Sequence, residues 1–297
     1  MNKCNFTNKT NDVVYYLKWE VSNPKANVVI SHGMVEHPAR YDDLAKYLNE
    51  NGLNVYGIYH IGHGEDAKVL NHMGKGDFDK CISNIAELVD LVKVNALPTV
   101  LLGHSMGSFM AQLYVTRYNN IEGLILSGST VSNLLAKAGS VIASIITAFS
   151  ADKTKPCKFL DNMAFGSYNK VFKNPRTNFD WLSQDENQVD KYIADPYCGG
   201  VCSASFFKNL TTGIATMAKK KNLKKINLDL PIYIHGGACD PVSNMGKGLY
   251  ALEKQYKNLG VKKVRLDVYD NDRHEIYNEL NKDEVYKNTL DFINEII

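Results

Sequence analysis

Short apolar runs alternate with longer amphipathic segments along this chain, and that order predicts a mostly parallel β-sheet covered by helices on both faces. An uninterrupted apolar run is typical of a strand buried on both faces, whereas apolar residues spaced three and four apart are typical of a helix packed by one face. The predicted strands are residues 13–19, 27–31, 54–59, 98–102, 121–127, 230–235 and 263–269. The predicted helices are residues 40–51, 79–94, 105–118, 244–258 and 283–296.

The alternation of strands and helices stops between Ser127 and about Gly213, which indicates an insertion. We assign residues 1–128 and 206–297 to an α/β core and residues 129–205 to a helical cap inserted above the sheet. Core and cap would form a single structural unit.

Residues 134–149 form the most apolar part of this insertion, but the segment is too short to span a bilayer and contains Lys137. It is either a cap helix over an apolar substrate cleft or a helix that only packs on the core. One helical face carries four apolar candidates for a cleft wall: Ile142, Ile145, Ile146 and Phe149.

Composition excludes some classes of partner. The 34 Lys and Arg residues against 32 Asp and Glu residues give a net charge of +2, so we expect no nucleic-acid partner. The first eleven residues are polar and carry no export signal, which favours a cytoplasmic location with the six cysteines as reduced thiols. No histidine pair has a helical metal-binding spacing, so we expect neither a metal nor another cofactor. Composition leaves the oligomeric state open.

The sequence Gly103-His-Ser-Met-Gly107 follows an apolar strand and precedes a helix, as a G-x-S-x-G nucleophile elbow does. The glycines at 103 and 107 allow the tight turn, which presents Ser105 above the sheet. The backbone N–H of Met106 would then face the oxygen that becomes negative when the serine attacks a carbonyl.

A serine nucleophile needs a histidine base and an acid, which follow the elbow serine in the order acid, then histidine. Asp240 follows the predicted strand 230–235, and His274 follows the last predicted strand. Asp270 and Asp272 compete with Asp240 because they lie next to His274 in sequence. We favour Asp240, because an acid on the histidine's own loop rarely reaches back to its ring.

A second loop can complete the oxyanion hole. The strand 27–31 is followed by His32 and Gly33, and a His-Gly turn lets the backbone approach the reacting carbon. The backbone N–H of Met34 is therefore the second candidate oxyanion donor.

These motifs together resemble the monoacylglycerol lipase and lysophospholipase branch of the α/β-hydrolases, grouped with the serine aminopeptidase-like hydrolases. The resemblance covers the chain from about residue 12 to its end, and its most specific part is H-G-M-V-E-H-P-A-R-Y at 32–41. It implies an α/β-hydrolase fold with a catalytic triad and two backbone oxyanion donors. By position these are Ser105, Asp240, His274, Met34 and Met106.

One departure from the family lies in residues 59–64, Tyr-His-Ile-Gly-His-Gly. Many relatives have an aspartate, and often an arginine, ahead of the Gly-His-Gly. The polar anchoring of this loop is therefore in question, but the triad is not affected.

The sequence thus predicts a serine hydrolase that cleaves a carboxylic ester with an apolar acyl chain, such as a monoglyceride or a lysophospholipid, through an acyl-enzyme on Ser105. A transient contact with a membrane surface would accompany such a substrate. The same triad would also serve an acyltransferase or an aminopeptidase. A non-catalytic binding module with this fold is the remaining alternative, which a complete triad disfavours.

Overall fold

An eight-stranded sheet forms the centre of the computed structural model. The structure describes residues 1–131, 134–150 and 152–297, but not the side chains of residues 95 and 134–140. The strand order is β1-β2-β4-β3-β5-β6-β7-β8. The strands β1 and β2 are antiparallel to their neighbours, and all other pairs are parallel. The strands are β1 (Asn2–Thr7), β2 (Val13–Trp19), β3 (Ala26–Ser31), β4 (Leu53–Ile58), β5 (Thr99–His104), β6 (Gly123–Ser127), β7 (Ile232–Gly237) and β8 (Val264–Tyr269).

Ten α-helices surround the sheet in the described ranges. They are α1 (Asp42–Glu50), α2 (Asp77–Val92), α3 (Met106–Tyr114), α4 (Leu134–Phe149), α5 (Lys158–Phe165), α6 (Glu186–Ala194), α7 (Ala204–Met217), α8 (Lys220–Leu223), α9 (Lys247–Leu259) and α10 (Lys282–Asn294). None of the described helices is both long enough and apolar enough to cross a membrane.

Each face of the sheet has its own apolar layer, because successive side chains of a strand point to opposite sides. On one side Val29 packs in the cluster that contains the buried faces of α2, α3 and α9. On the other side Val28 and Ile30 pack in the cluster that contains α1 and α10. Burial on both faces explains why these strands read as continuous apolar runs.

The seven predicted strands are confirmed, with ends displaced by at most two residues. The strand β1 was not predicted, because its residues alternate between exposed and partly buried positions at the sheet edge and are mostly polar. The predicted helix 40–51 is a 3₁₀ turn at Pro38–Tyr41 followed by α1. The predicted helix 105–118 is shorter and ends as α3 at Tyr114.

The chain between β6 and β7 departs from strand–helix alternation and forms α4 to α8. Helix α7 packs on α2, α3 and α4. Its Phe206 and Met217 belong to the same buried cluster as the core helices. The chain therefore returns to the core at α7.

Candidate active site

Ser105 lies at the junction of β5 and α3 in a backbone conformation that few residues adopt. Its φ is 51° and its ψ is −119°, and a positive φ in a residue other than glycine indicates local strain. The surrounding backbone holds it there: the Ser105 N–H donates to the Ser127 carbonyl at 3.0 Å. The side chain is partly exposed, so the hydroxyl is at the surface of the sheet's carboxyl edge.

The two glycines of this turn are needed for space. A Cβ at Gly103 would lie 2.6 Å from the carbonyl oxygen of Gly107, and a Cβ at Gly107 would overlap the carbonyl oxygen of Ser31. Helix α3 therefore packs directly against the end of β3. This close approach brings Ser105 next to the loop that follows β3.

His274 and Asp240 meet above the carboxyl ends of β7 and β8. The His274 Nδ1 atom lies 3.0 Å from Asp240 Oδ1, and both side chains are almost completely buried. Asp240 Oδ1 also accepts the Val242 N–H at 2.8 Å, which orients the carboxylate. Since the carboxylate accepts, His274 Nδ1 donates, and the lone pair of the neutral ring is on Nε2.

Burial alone would lower the pKa of His274, but the charge of Asp240 and its hydrogen bond outweigh burial and raise that pKa above 6.5. The ring is packed between His104 and Trp181, with ring centroids 4.8 Å and 5.1 Å away. Burial lowers the pKa of His104 well below 6.5, so this neighbour is neutral. The site therefore contains a single readily protonated imidazole between Asp240 and its aromatic neighbours.

The structure places the competing acids elsewhere. Asp270 is exposed, and Asp272 lines a separate cavity of about 480 Å³ with Asn281 and Glu284. Burial raises the pKa of Asp272 to about 7, helped by the charge of Glu279. The hydrogen bond to His274 is thus made by Asp240, which lies on the neighbouring strand end.

The loop after β3 brings Gly33 and Met34 beside the elbow. A Cβ at Gly33 would lie 3.3 Å from the Ser105 Cβ, so the loop and the serine are in van der Waals contact. His32 Nε2 accepts the His60 N–H at 3.2 Å, and its Nδ1 therefore donates to the Gly33 carbonyl at 2.8 Å. Because that carbonyl shares a peptide plane with the Met34 N–H, the bond from His32 also fixes the direction of the N–H.

Glu36 is a buried acid whose role the sequence alone does not reveal. It accepts the Gly33 N–H at 2.5 Å, the Tyr41 hydroxyl at 2.9 Å and Arg40 Nη1 at 2.9 Å. Burial raises the pKa of Glu36, and the charge of Arg40 opposes that effect. The acid thus connects the backbone of the Gly33 turn to Arg40 and Tyr41 in the 3₁₀ turn before α1.

Arg40 connects this turn to the loop that carries the histidine. Its Nη1 and Nη2 donate to Glu275 Oε1 and Oε2 at 2.5 Å and 2.6 Å, in a bidentate pair. Its guanidinium also lies over the ring of Tyr192, 4.7 Å from the centroid. The four-residue spacing of Glu36 and Arg40 indicates that these two side chains can meet. The partner Glu275 is 235 residues from Arg40, and nothing in the sequence connects the two.

The loop at 59–64 has polar anchors in spite of its departure from the family pattern. His60 Nε2 lies 2.9 Å from Ser31 Oγ, and His63 Nδ1 lies 3.0 Å from the Ile61 carbonyl. The rings of His32 and His60 are 4.4 Å apart, and both pKa values are lowered by burial. Neutral histidines therefore anchor this loop in place of an aspartate and an arginine.

Aromatic side chains from the insertion cover His274. Trp181 contacts the imidazole, and Phe165 and Tyr168 pack on Trp181 with centroids 6.1 Å and 5.1 Å away. The His274 N–H donates to the Trp181 carbonyl at 3.3 Å. The part of the insertion that contains Trp181 is thus attached directly to the histidine loop.

The four candidate cleft residues of α4 fall into two pairs. Ile142 and Ile146 are partly buried and pack against the cluster of α2, α3 and α7. Ile145 and Phe149 are exposed by 54% and 87%. One side of the predicted apolar face therefore packs on the core, and the other side is exposed to solvent.

Among the described residues, the group suited to a metal ion is His37, Asp195 and Cys198, which does not include the Ser105 site. That site offers a hydroxyl, a buried imidazole–carboxylate pair and backbone N–H groups. This combination suits attack on a carbonyl carbon without a metal.

Comparison with known proteins identifies the family of this chain. Residues 22–281 match the family model "Serine aminopeptidase, S33". A monoglyceride lipase homolog of monkeypox virus is 28% identical over 95% of this chain and 93% of its own length. The monoglyceride lipase of Mus musculus is 28% identical over 88% of this chain and 80% of its own length.

Comparison with solved structures identifies the fold. A thermostable carboxyl esterase from Bacillus coagulans superimposes with a TM-score of 0.89 at 24% identity, over 99% of this chain and 98% of that structure. The match extends over the sheet and the insertion. The chain therefore belongs to the serine aminopeptidase S33 family, as an α/β-hydrolase of the monoacylglycerol lipase branch.

Proposed function

We propose that this serine hydrolase cleaves the ester bond of a lipid with one apolar acyl chain, of the monoglyceride or lysophospholipid class, with Ser105, His274 and Asp240 as its triad. The observation that carries the proposal is the buried His274–Asp240 pair at 3.0 Å, whose imidazole packs on His104. The residue after His104 is Ser105, held at φ 51° on a strand–helix turn. Cleavage of carboxylic esters is also the activity named for its monoglyceride lipase and carboxyl esterase relatives.

The chemistry proceeds in two acyl transfers. Ser105 Oγ attacks the ester carbonyl carbon while its proton moves to His274 Nε2, and Asp240 stabilises the resulting imidazolium. The tetrahedral intermediate expels the alcohol, which takes that proton and leaves an acyl group on Ser105. Water then attacks the acyl-enzyme with His274 again as base, and the acid leaves with the serine restored.

Two backbone N–H groups stabilise the negative oxygen of each intermediate. The Met106 N–H lies at the start of α3, where the helix dipole adds partial positive charge. The Met34 N–H is the second donor, in a peptide plane whose carbonyl His32 holds. Side-chain identity at 34 and 106 therefore matters less than the backbone geometry that Gly33 permits.

The insertion at 129–205 supplies the apolar surroundings of the substrate. Trp181 and Phe165 form an aromatic wall beside His274, and Ile142 and Ile146 pack in the adjoining apolar cluster. Each acyl methylene buried in such a cleft contributes about 0.8 kcal/mol. A long-chain ester should therefore be preferred over an acetate ester.

The exposed face of α4 suits contact with a lipid surface. Val141, Ile145 and Phe149 follow one another at intervals of four residues, with 54% to 87% of each side chain exposed. An exposed apolar row of this kind favours insertion of a helix face into an interface. We place the transient membrane contact of the enzyme here.

All six cysteines are free thiols, which supports a cytoplasmic site of action.

A fluorophosphonate probe and a substrate panel test the proposal. The probe should label the wild type at Ser105 and leave Ser105→Ala unlabelled, whereas a binding module would show no labelling in either. The panel contains p-nitrophenyl esters from C2 to C16, monoglycerides, lysophospholipids and aminoacyl amides. Faster amide than ester cleavage would indicate an aminopeptidase, and products that require an added alcohol would indicate an acyltransferase.

A further inference from the structure

Three potential metal ligands from two distant segments of the chain meet at one point outside the proposed triad. An imidazole nitrogen of His37, a carboxylate oxygen of Asp195 and the thiol sulfur of Cys198 all lie within 4.8 Å of one another. His37 Nε2 is 2.8 Å from Asp195 Oδ2, across 158 residues of sequence. We propose that these side chains form a binding site for Zn²⁺, with the fourth coordination position open to water.

The donor set matches the ion. Nitrogen, sulfur and carboxylate oxygen are the ligands that Zn²⁺ takes in proteins, and three of them with one open position form a stable site. A tetrahedral ion with bonds of about 2.0–2.3 Å separates its ligand atoms by about 3.3–3.8 Å. The His37–Asp195 pair, at 2.8 Å, has to widen by about half an ångström, and the sulfur has to move closer by up to about 1 Å from the 4.8 Å within which the three atoms lie.

The local backbone favours this convergence. The Cys198 N–H donates to the Asp195 carbonyl at 3.1 Å, so residues 195–198 form a turn that carries two of the ligands. The second oxygen of Asp195 accepts the Tyr197 N–H at 2.9 Å, which orients the carboxylate. The ring of His37 lies parallel to Tyr59. Asp195 thus already has a supporting hydrogen bond of the kind that orients ligands at metal sites.

The charges balance when the ion binds. Zn²⁺ displaces the thiol proton of Cys198, which passes to the buffer, and His37 binds through a neutral imidazole. The thiolate and the Asp195 carboxylate then offset the two positive charges of the ion. The side chains of His37 and Asp195 are 12% and 27% exposed, so the ion can enter from solvent.

The site is connected to the loop after β3. Val35 has a φ of 51°, which is a strained conformation for a β-branched residue. Its carbonyl accepts the Gly199 N–H at 3.0 Å and the Tyr192 hydroxyl at 3.2 Å. The turn that carries Asp195 and Cys198 therefore also holds the residue beside Met34, and a bound ion would fasten the two segments together.

Co²⁺ serves as the spectroscopic probe, because a cobalt–thiolate bond gives a charge-transfer band in the near-ultraviolet. We expect this band in the wild type and in Cys4→Ser, a control that removes another partly exposed thiol. It should be absent in Cys198→Ser. The Zn²⁺ affinity, measured by competition with Co²⁺, should be at least tenfold weaker in Cys198→Ser and in His37→Asn, since loss of outer-shell partners alone weakens metal sites about 10–100-fold.

A second readout is independent of the thiol chemistry. Zn²⁺ should raise the melting temperature of the wild type and slow hydrogen exchange at the Gly199 amide, without either effect in Asp195→Asn. Absence of the cobalt band in the wild type would overturn the proposal. So would an equal rise in melting temperature for wild type and variants, because that would place the ion elsewhere. None of these measurements depends on hydrolase activity.

Discussion

Arg40 and Glu275 form a bidentate ion pair across 235 residues of sequence, with both side chains at least nine-tenths buried. Glu275 follows His274 directly, and Arg40 also binds Glu36, which holds the Gly33 turn. The pair therefore fixes the distance between the histidine loop and the loop of the proposed oxyanion donor Met34. Neither loop belongs to a helix or strand that could position it alone.

Loss of this pair should reduce stability and activity together. Arg40→Met leaves two buried carboxylates without their counter-charge, and breaking a buried pair in this way costs about 3–5 kcal/mol. Arg117→Met is the matched control, because its partner Asp79 is largely exposed and such pairs contribute about 0–1 kcal/mol. Urea unfolding and esterase assays should show a large effect for Arg40→Met alone. Similar losses in both variants would contradict the positioning role.

The triad should behave as one unit. Ser105→Ala and His274→Ala should each lower kcat by about a thousandfold or more, and the double variant should lose little beyond either single one. Circular dichroism and a melting curve show whether each variant is folded. A folded Ser105→Ala protein with more than a tenth of the wild-type turnover would show that the nucleophile is a different residue.

Asp240→Asn should be far more damaging than Asp270→Asn. An amide at 240 cannot hold the His274 tautomer that accepts a proton, and the same change in serine proteases costs about ten-thousandfold. Asp272→Asn is a second comparison, because this acid is buried in another cavity. Inactivity of the Asp272 variant with an active Asp240 variant would reverse the assignment.

The pH dependence of kcat/KM should report the ionisation of His274. Its folded-state pKa is raised above 6.5 by Asp240, and only the neutral imidazole accepts the serine proton. The rate kcat/KM should therefore increase with pH through a midpoint above 6.5. The same raised pKa means that protonation of this group stabilises the fold below that midpoint, and this contribution disappears as pH rises through it. A midpoint below 6.5 would mean that burial outweighs Asp240.

Polar substitutions on the exposed side of α4 test whether this face contacts a lipid surface or lines the substrate cleft. Ile145→Ser and Phe149→Ser should leave acetate-ester turnover and the melting temperature nearly unchanged, because both side chains are exposed. They should reduce turnover of monoglycerides presented in vesicles. Ile146→Ser is the comparison variant, since its partly buried position predicts lower stability. A uniform loss on all esters in Ile145→Ser would mark this face as structural.

The buried parts of the fold were predictable from sequence, and the edges were not. Strands such as β5 are covered on both faces, so their apolar runs mark them clearly. Strand β1 is mostly exposed, and its pairing with β2 involves polar residues such as Lys3 and Asn5. An edge strand of this kind has no pattern that distinguishes it from a polar loop.

Within the proposed site, sequence order alone placed Ser105, Asp240 and His274 after strands that end at the same sheet edge. The contacts that orient them were not predictable. Arg40 and Glu275 lie on separate loops, and the bond from His32 to the Gly33 carbonyl depends on a tautomer set by the His60 N–H. Such contacts arise only when the loops between strands adopt their folded paths.

The left-handed backbone at Ser105 lowers the stability of the fold at the residue that the proposed reaction requires. A side chain in this conformation costs about 1–3 kcal/mol, which the surrounding sheet and helix must offset. Evolution for thermal robustness alone would replace this serine with glycine, the residue that accepts the turn most readily. Under the proposed function only the chemistry of the hydroxyl offsets this cost, so Ser105→Gly would exchange turnover for stability.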